Sequence, residues 1–251
     1  MVGEVRIIGV DHIPEVTADD EPVQLILAGL EQSGLTLEAG DIVVVTHKLV
    51  SKAEGRVVEL ADIEPSDFAI RWATEHEKDP RQVEVVFREA ARIVRMDRGL
   101  LIAETRHGFI CANAGVDASN VAGTVAVSML PFDPDESARQ IRAGLEAHFG
   151  FALAVVITDS FGRPWRRGII NIAIGAAGIE PLIDYRGQFD DQGYELRATV
   201  IAIVDEIASA AEMVMGKLDR RPVAIVRGFP YTPSDDGAAT LVMSPDRDLF
   251  R

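Results

Sequence analysis

The chain has 251 residues, 47% of them apolar and 26% charged, an ordinary globular balance with enough apolar material for one large domain or two small ones. A formal charge of −15 argues against a general nucleic-acid binder, because no basic surplus is left to neutralise phosphates, so an anionic ligand must be drawn in by local arginines or a metal. The single cysteine, Cys111, rules out an intrachain disulfide and a cysteine-based metal site, and its neighbours Phe109, Ile110 and Ala112 suggest a buried, inert thiol.

Val5–Val10 reads as a first strand, and Pro22–Leu30 as a helix with apolar residues at 23, 26, 27 and 30 and a proline near its first turn. Ile42–Val45 is a β-branched run suited to a buried strand, and Thr46, His47, Lys48, Ser51 and Lys52 directly after it form a plausible phosphate-facing edge or an ordinary solvated helix start. Two helices are expected over Ser66–Glu77 and Pro80–Arg95, with Trp72 and His76 of the first serving core packing or a partner surface rather than catalysis. Leu100–Glu104 and Gly108–Ala112 suit a β-hairpin, and Val125–Leu130 is a further apolar run. Asp133 with Pro134 and Glu136 has the pattern of a helix cap, which accounts for those acids without any ligand role. Ala198–Met215 reads as a helix in which Asp205 or Glu206 must face the core and find a partner, and Val223–Val226 as a final strand.

No stretch approaches the roughly 20 apolar residues that span a bilayer. The N-terminus carries Glu4 where a leader would be basic and then apolar, so the cytoplasm is the expected location and no membrane partner is expected. Nothing in the chain looks like a repeat or a clean linker, and a single domain over residues 1–251 is expected, with division into two subdomains left open.

The chemistry concentrates in two stretches. Ala154–Thr158 is a short β-branched strand expected to deliver Asp159 and Ser160 at its carboxyl end, followed by a loop, Phe161-Gly162-Arg163-Pro164, that carries on to Arg166 and Arg167. Carboxylate and hydroxyl oxygens suit a hard cation, and guanidinium forks suit phosphate or carboxylate. A turn with a solvated salt bridge is the plainer alternative. The second stretch, residues 113–120, is a small-residue loop in which Asn113, Asp117, Ser119 and Asn120 carry side-chain oxygens. Asp117 and Asp159, on separate loops, can share one divalent metal; a pair of ordinary Asx turns is the alternative. The five histidines show no metal-ligand spacing, and neither a P-loop, a dinucleotide fingerprint nor a nucleophile elbow is present.

Taken in order, Val50-Ser51-Lys52-Ala53-Glu54-Gly55-Arg56, the 113–120 loop, Thr158-Asp159-Ser160 through Arg166-Arg167-Gly168, Val204-Asp205-Glu206-Ile207-Ala208 and Pro222 through Arg227-Gly228 resemble the coenzyme F420-0:γ-glutamyl ligase family over nearly the whole chain. Each motif alone is weak; the ordered set is specific. The resemblance implies a mixed, intertwined α+β fold with several short sheets flanked by helices, and a homodimer. It implies GTP-dependent attachment of L-glutamate to F420-0, with Mg²⁺ or Mn²⁺, two per subunit, and K⁺ as a stimulant. Asp117, Asp159 and Ser160 match its metal positions. Ile13, Pro14, Glu15, Val16, His47, Lys48, Lys52, Asn120 and the loop Met215, Gly216, Lys217, Leu218, Asp219, Arg220, Arg221, Pro222 match its nucleotide contacts. Lys217 stands where archaeal members carry a glutamate metal ligand, with Asp219 or water as candidate substitutes. From their chemistry alone, Asp117, Asp159 and Lys52 are the catalytic candidates, and Arg163, Arg166 and Arg167 are candidates for holding acidic substrate groups. A related amide ligase for another phosphorylated acid, or a non-catalytic nucleotide-binding module, are the competing expectations.

Overall fold

The computed structural model describes residues 3–118 and 126–248. The chain forms β1 (Arg6–Val10), α1 (Pro22–Gln32), β2 (Ile42–Thr46), α2 (His47–Ala53), β3 (Val57–Glu59), α3 (Asp67–Glu75), α4 (Pro80–Glu89), β4 (Ala90–Asp97), β5 (Leu100–Thr105) and β6 (Ile110–Ala112). It continues through β7 (Ala126–Ser128), α5 (Pro134–Phe149), β8 (Ala154–Arg163), β9 (Arg166–Ala177), β10 (Leu182–Asp184), β11 (Val200–Ala202), α6 (Ile203–Met215) and β12 (Val223–Arg227). The architecture is α+β. Its central sheet has the order β1-β12-β2-β8-β9, in which only β2 and β8 run parallel. The smaller sheets are β4-β5-β6, β3-β7 and β10-β11.

The β-branched run of β2 follows from its place. Ile42 and Val44 pack with Ile203, Ile207 and Ala211 of α6 on one face, while Val43 and Val45 pack with Ile26 and Leu30 of α1 and Ile141 and Leu145 of α5 on the other. All four strand residues are fully buried. A strand covered on both faces needs apolar side chains at every position. A third cluster, around Trp72, Val83, Val86 and Leu101, joins α3 and α4 to the β4-β5-β6 sheet. Trp72 meets His76 edge-on at 4.6 Å, the packing role expected of both.

Asp133 caps α5 by accepting the Glu136 N–H, as its pattern suggests. Cys111 is buried, and loss of water pushes its thiol up to about 12, with repulsion from Asp159 adding to the shift. The hairpin of β5 and β6 also forms.

Three expectations need correction. Pro80–Arg95 is not one helix: α4 ends at Glu89, and Ala90 is extended. The following residues alternate enough to pair with β5, and that ladder, invisible to helical periodicity, takes the chain into β4. The helix expected from Ala198 starts only at Ile203, because Val200–Ala202 pair with β10. Finally, β8 does not stop at Thr158. It runs to Arg163, pairing with β9 throughout, so Arg166 and Arg167 lie on a strand and not in a loop.

β9 ends the central sheet, and its outer backbone edge is closed by side chains. Asp205 accepts the Ala173 N–H at 2.8 Å, and Ser209 donates to the Asn171 carbonyl at 2.6 Å. On the same strand Asp135 accepts the Ala176 N–H at 2.8 Å. The β8–β9 register shifts between Ile157 and Thr158, at the point where Asp205 binds. An irregularity there re-aims the residues beyond it.

Burial raises the Asp205 carboxyl above its usual range, with the Ala173 N–H opposing. The folded state therefore holds that proton more tightly than the unfolded chain. Stability linked to this group is present below the unfolded pKa of about 4 and is lost as pH rises through the raised folded value. Asp205→Asn keeps an oxygen for Ala173 and removes the ionisation. Thermal melting is expected to show the variant more stable than the parent at pH 7, with the difference vanishing below about pH 4. An unchanged difference at both pH values would assign the effect to packing.

Candidate functional site

The parallel register places Thr46 opposite Thr158, so the two chains leave that point on the same side of the sheet. Beyond Thr46 the backbone enters α2 with His47 and Lys48; beyond Thr158, β8 presents Asp159 and Ser160. Ligands in sheets with parallel strands gather outside such carboxyl ends. Asp117 reaches the same helix from another direction. It exchanges backbone hydrogen bonds with Ser128 of β7 at 3.0 and 2.9 Å. Lys48 Nζ lies 2.7 Å from Asp117 Oδ2, and His47 Nε2 lies 3.2 Å from Asp159 Oδ1. Two carboxylates remote in sequence thus meet consecutive residues of one helix.

His47 is 2% exposed, with Nδ1 3.3 Å from Ser51 Oγ. Its Nε2 approaches Asp159 without hydrogen-bond alignment, and both that atom and Thr158 Oγ1 are buried without a partner. Asp159 Oδ1 accepts the Ser160 N–H at 2.6 Å. The donors at Asp117, Asp159 and Ser160 are all oxygens, and Mg²⁺ characteristically uses one or two carboxylates and completes its shell with water and substrate phosphate. Among the described residues no three acidic, His or Cys side chains form a closed cage. Oxygen chemistry with an open remainder and orphaned polar atoms beside it fit a hard divalent ion held jointly with an anionic ligand.

Beside these residues is a cavity of about 460 Å³, walled by the 13–16 segment, the start of α2 and the loop after α6. Of the expected nucleotide contacts, Ile13, Pro14, Glu15, Val16, Lys48, Lys52, Gly216, Lys217, Leu218, Arg220, Arg221 and Pro222 line it. His47, Met215 and Asp219 do not: His47 is turned inward, and Met215, the last residue of α6, is fully buried. Asn120 lies outside the described residues. The loop shape depends on Gly216, whose φ of 60° and ψ of −178° suit only glycine. A Cβ there would collide with Asp219 Oδ2. Thr46, named with the phosphate-facing edge, also lines the cavity, as does Leu49, which carries no sequence signal for it beyond its neighbours.

The lining holds five cationic side chains, Lys48, Lys52, Lys217, Arg220 and Arg221, against one carboxylate, Glu15. Asp117, Glu212 and Asp11 pair Lys48, Lys217 and Arg221 from outside the lining, so the inner surface is cationic over a compensated base, a local contrast with the chain charge of −15 that suits an anionic ligand. Glu15 joins two walls, its oxygens 2.7 Å from Lys52 Nζ and 3.1 Å from Arg220 Nη2. The Lys52 hydrogen bond lowers the Glu15 carboxyl below the usual range, against partial burial and with help from the Arg220 charge.

A polar ring borders the cavity. Ser160 Oγ donates to Asn171 Oδ1 at 2.7 Å, Asn171 Nδ2 donates to Glu212 Oε2 at 2.8 Å, and Lys217 Nζ joins Glu212 Oε1 at 3.1 Å and donates to Ser160 Oγ. Sequence reading missed Asn171 and Glu212. The available signal was the spacing of Asp205, Ser209 and Glu212, a polar stripe along an otherwise apolar helix. Arg163, Arg166 and Arg167 stand at the β8–β9 hairpin, where Arg163 Nη2 donates to the Arg167 carbonyl at 3.3 Å, and none of them lines the cavity.

Because Glu15 covers two of the cavity's cations, Glu15→Gln frees them for a ligand. Titration with a triphosphate is expected to show binding tightened by a factor of about two to five, the scale of one exposed ion pair. Weakened binding would instead make the carboxylate part of the ligand contact.

The F420-0:Gamma-glutamyl ligase family model matches residues 11–228. The chain is 42% identical over 250 residues to the coenzyme F420:L-glutamate ligase of Methanothermobacter thermautotrophicus, covering 98% of this chain and 99% of that protein. It is 47% identical over 230 residues to the enzyme of that name from Methanopyrus kandleri, covering 90% and 91%. The Methanocaldococcus jannaschii enzyme of that name is 44% identical over 216 residues, 86% of each chain.

Proposed function

The chain belongs to the F420-0:gamma-glutamyl ligase family and is a ligase, and on that premise we propose that it joins L-glutamate to coenzyme F420-0 through an amide bond at the expense of GTP. The observation that carries this reading is the cationic cavity of 460 Å³ beside Asp117 and Asp159, since an amide made from a carboxylate needs a phosphoryl donor held by charge. The triphosphate occupies the cavity, its phosphates facing Lys48 and Lys52 and displacing Glu15. Asp117 and Asp159 would hold Mg²⁺ or Mn²⁺, which when bound would neutralise phosphate charge, with the Ser160 hydroxyl already engaged by Asn171 and Lys217; K⁺ is a further cation of this reading, and a homodimer its assembly.

The acceptor carboxylate oxygen attacks the γ-phosphorus, the bond to the β-phosphate oxygen breaks, and GDP leaves with an acyl phosphate remaining. The glutamate amine then attacks the acyl carbon, phosphate departs, and the nitrogen loses a proton. The chain's own contribution is positioning and charge. Lys48 and Lys52 stabilise the phosphoryl oxygens, and His47, held by Ser51, lies against Asp159. The exposed Arg166 and Arg167 and the half-buried Arg163 at the hairpin offer guanidinium groups to the acidic groups of F420-0 or glutamate.

Mass spectrometry of a reaction holding the protein, F420-0, L-glutamate, GTP and Mn²⁺ is expected to show product heavier by glutamyl units, and none without GTP. Product formed equally well with GTP omitted would overturn the reading. Asp159→Asn is expected to remain folded by circular dichroism and to lose more than about 100-fold in turnover, beyond the usual effect of residues that merely support a ligand. Near-normal turnover at saturating Mn²⁺ would remove Asp159 from the site.

A further inference from the structure

The ring at the cavity's edge accounts for its polar atoms in one way only. Ser160 Oγ has a single proton and gives it to Asn171 Oδ1, so toward Lys217 it can only accept. Asn171, 3% exposed, uses its amide nitrogen on Glu212 Oε2, which fixes the amide's orientation and leaves Glu212 Oε1 for Lys217. The ring thus turns a hydroxyl lone pair and a carboxylate oxygen toward one point, an arrangement suited to a cation, and the point is taken by the Lys217 ammonium. These four residues come from β8, β9, α6 and the loop after α6, so the seat is built by the tertiary fold and not by local sequence.

Lys217 has three N–H donors, of which the ring uses two. Its side chain is half-exposed and lines the cavity. The backbone that presents it is fixed by Gly216 in a conformation suited only to glycine. We propose that Lys217 is the resident cation of this seat: its tethered ammonium takes the place of a dissolved metal ion there and turns its third N–H to a phosphate oxygen of the bound ligand. The proposal rests on the reading that the cavity takes a nucleoside triphosphate. A tethered ammonium supplies one positive charge and cannot dissociate. The ring then attracts no divalent ion of its own, and any such ion gathers at Asp117 and Asp159 instead.

The test compares the parent protein with Lys217→Met, Lys217→Arg and Lys217→Glu. Bound Mn²⁺ is counted by electron paramagnetic resonance in the presence of a non-hydrolysable GTP analogue, and the affinity of that analogue is measured by calorimetry. Neither readout needs the ligase reaction. Lys217→Glu, which replaces the ammonium by a third oxygen donor, is expected to bind about one more Mn²⁺ per chain than the parent. Lys217→Met is expected to lose about tenfold in analogue affinity, the scale of one charge-assisted hydrogen bond, and Lys217→Arg to recover most of it. Melting temperatures identify any variant that fails to fold, and Lys217→Gln then replaces it. Equal Mn²⁺ counts in the parent and Lys217→Glu, or unchanged affinity in Lys217→Met, would overturn the proposal while leaving the nucleotide reading intact. A parent protein that binds no analogue would instead overturn the nucleotide reading, and with it the ligand assigned to Lys217.

Discussion

Thr46 and Thr158 face each other because β2 and β8 run parallel and in register, and the rest of the site is assembled around that pairing. The strands belong to segments more than a hundred residues apart, yet one places His47 and Lys48 where the other places Asp159 and Ser160. The register is held firmly because both faces of the pair are buried: a slip by one residue would exchange the α6-facing set, Ile42 and Val44, with the α1- and α5-facing set, Val43 and Val45. The same apolar packing that stabilises the core therefore sets the distance between a histidine and a carboxylate at its edge.

The second support is α6. Asp205, Ser209 and Glu212 recur at helical spacing, so they lie on one face, and that face runs along the open edge of β9. Exposed strand edges invite unwanted pairing, and here helix side chains take the free backbone groups. The stripe begins as edge protection and ends at the cavity, where Glu212 contacts Asn171 and Lys217. One helix face thus secures the sheet and reaches the candidate site.

What the sequence made legible was local or densely patterned. The β-branched run at Ile42–Val45, the capped start of α5 and the packing of Trp72 against His76 follow from periodicity and cap chemistry. The errors share a physical cause. β4, β11 and the far half of β8 are strands because another strand accepts their ladder, β5 and β9 each across a two-residue turn and β10 across a longer connection, and periodicity within the segment itself does not show that pairing. The same limit applies to the site. Lys48, Lys52 and the 216–222 loop were nameable from residue type and family resemblance, whereas the inward orientation of His47 depends on which face of α2 meets the core. Asn171 carried no signal for the same reason, since its role exists only once β9 and α6 are docked, and Glu212 was marked only by its place in the Asp205, Ser209 stripe.

Charge gives the account its central claim: a strongly acidic chain gathers Lys48, Lys52, Lys217, Arg220 and Arg221 around one cavity, and sets Asp117 and Asp159 beside it. Opposite charges on neighbouring walls suit a bound polyphosphate with a metal between it and the carboxylates. The most direct measurement is a crystal structure with Mn²⁺ and a non-hydrolysable GTP analogue, phased to show anomalous scattering from manganese. A manganese peak is expected within bonding distance of Asp117 and Asp159, with the phosphates against Lys48 and Lys52. A peak away from both carboxylates, or an analogue bound outside the 13–16 and 216–222 walls, would contradict it.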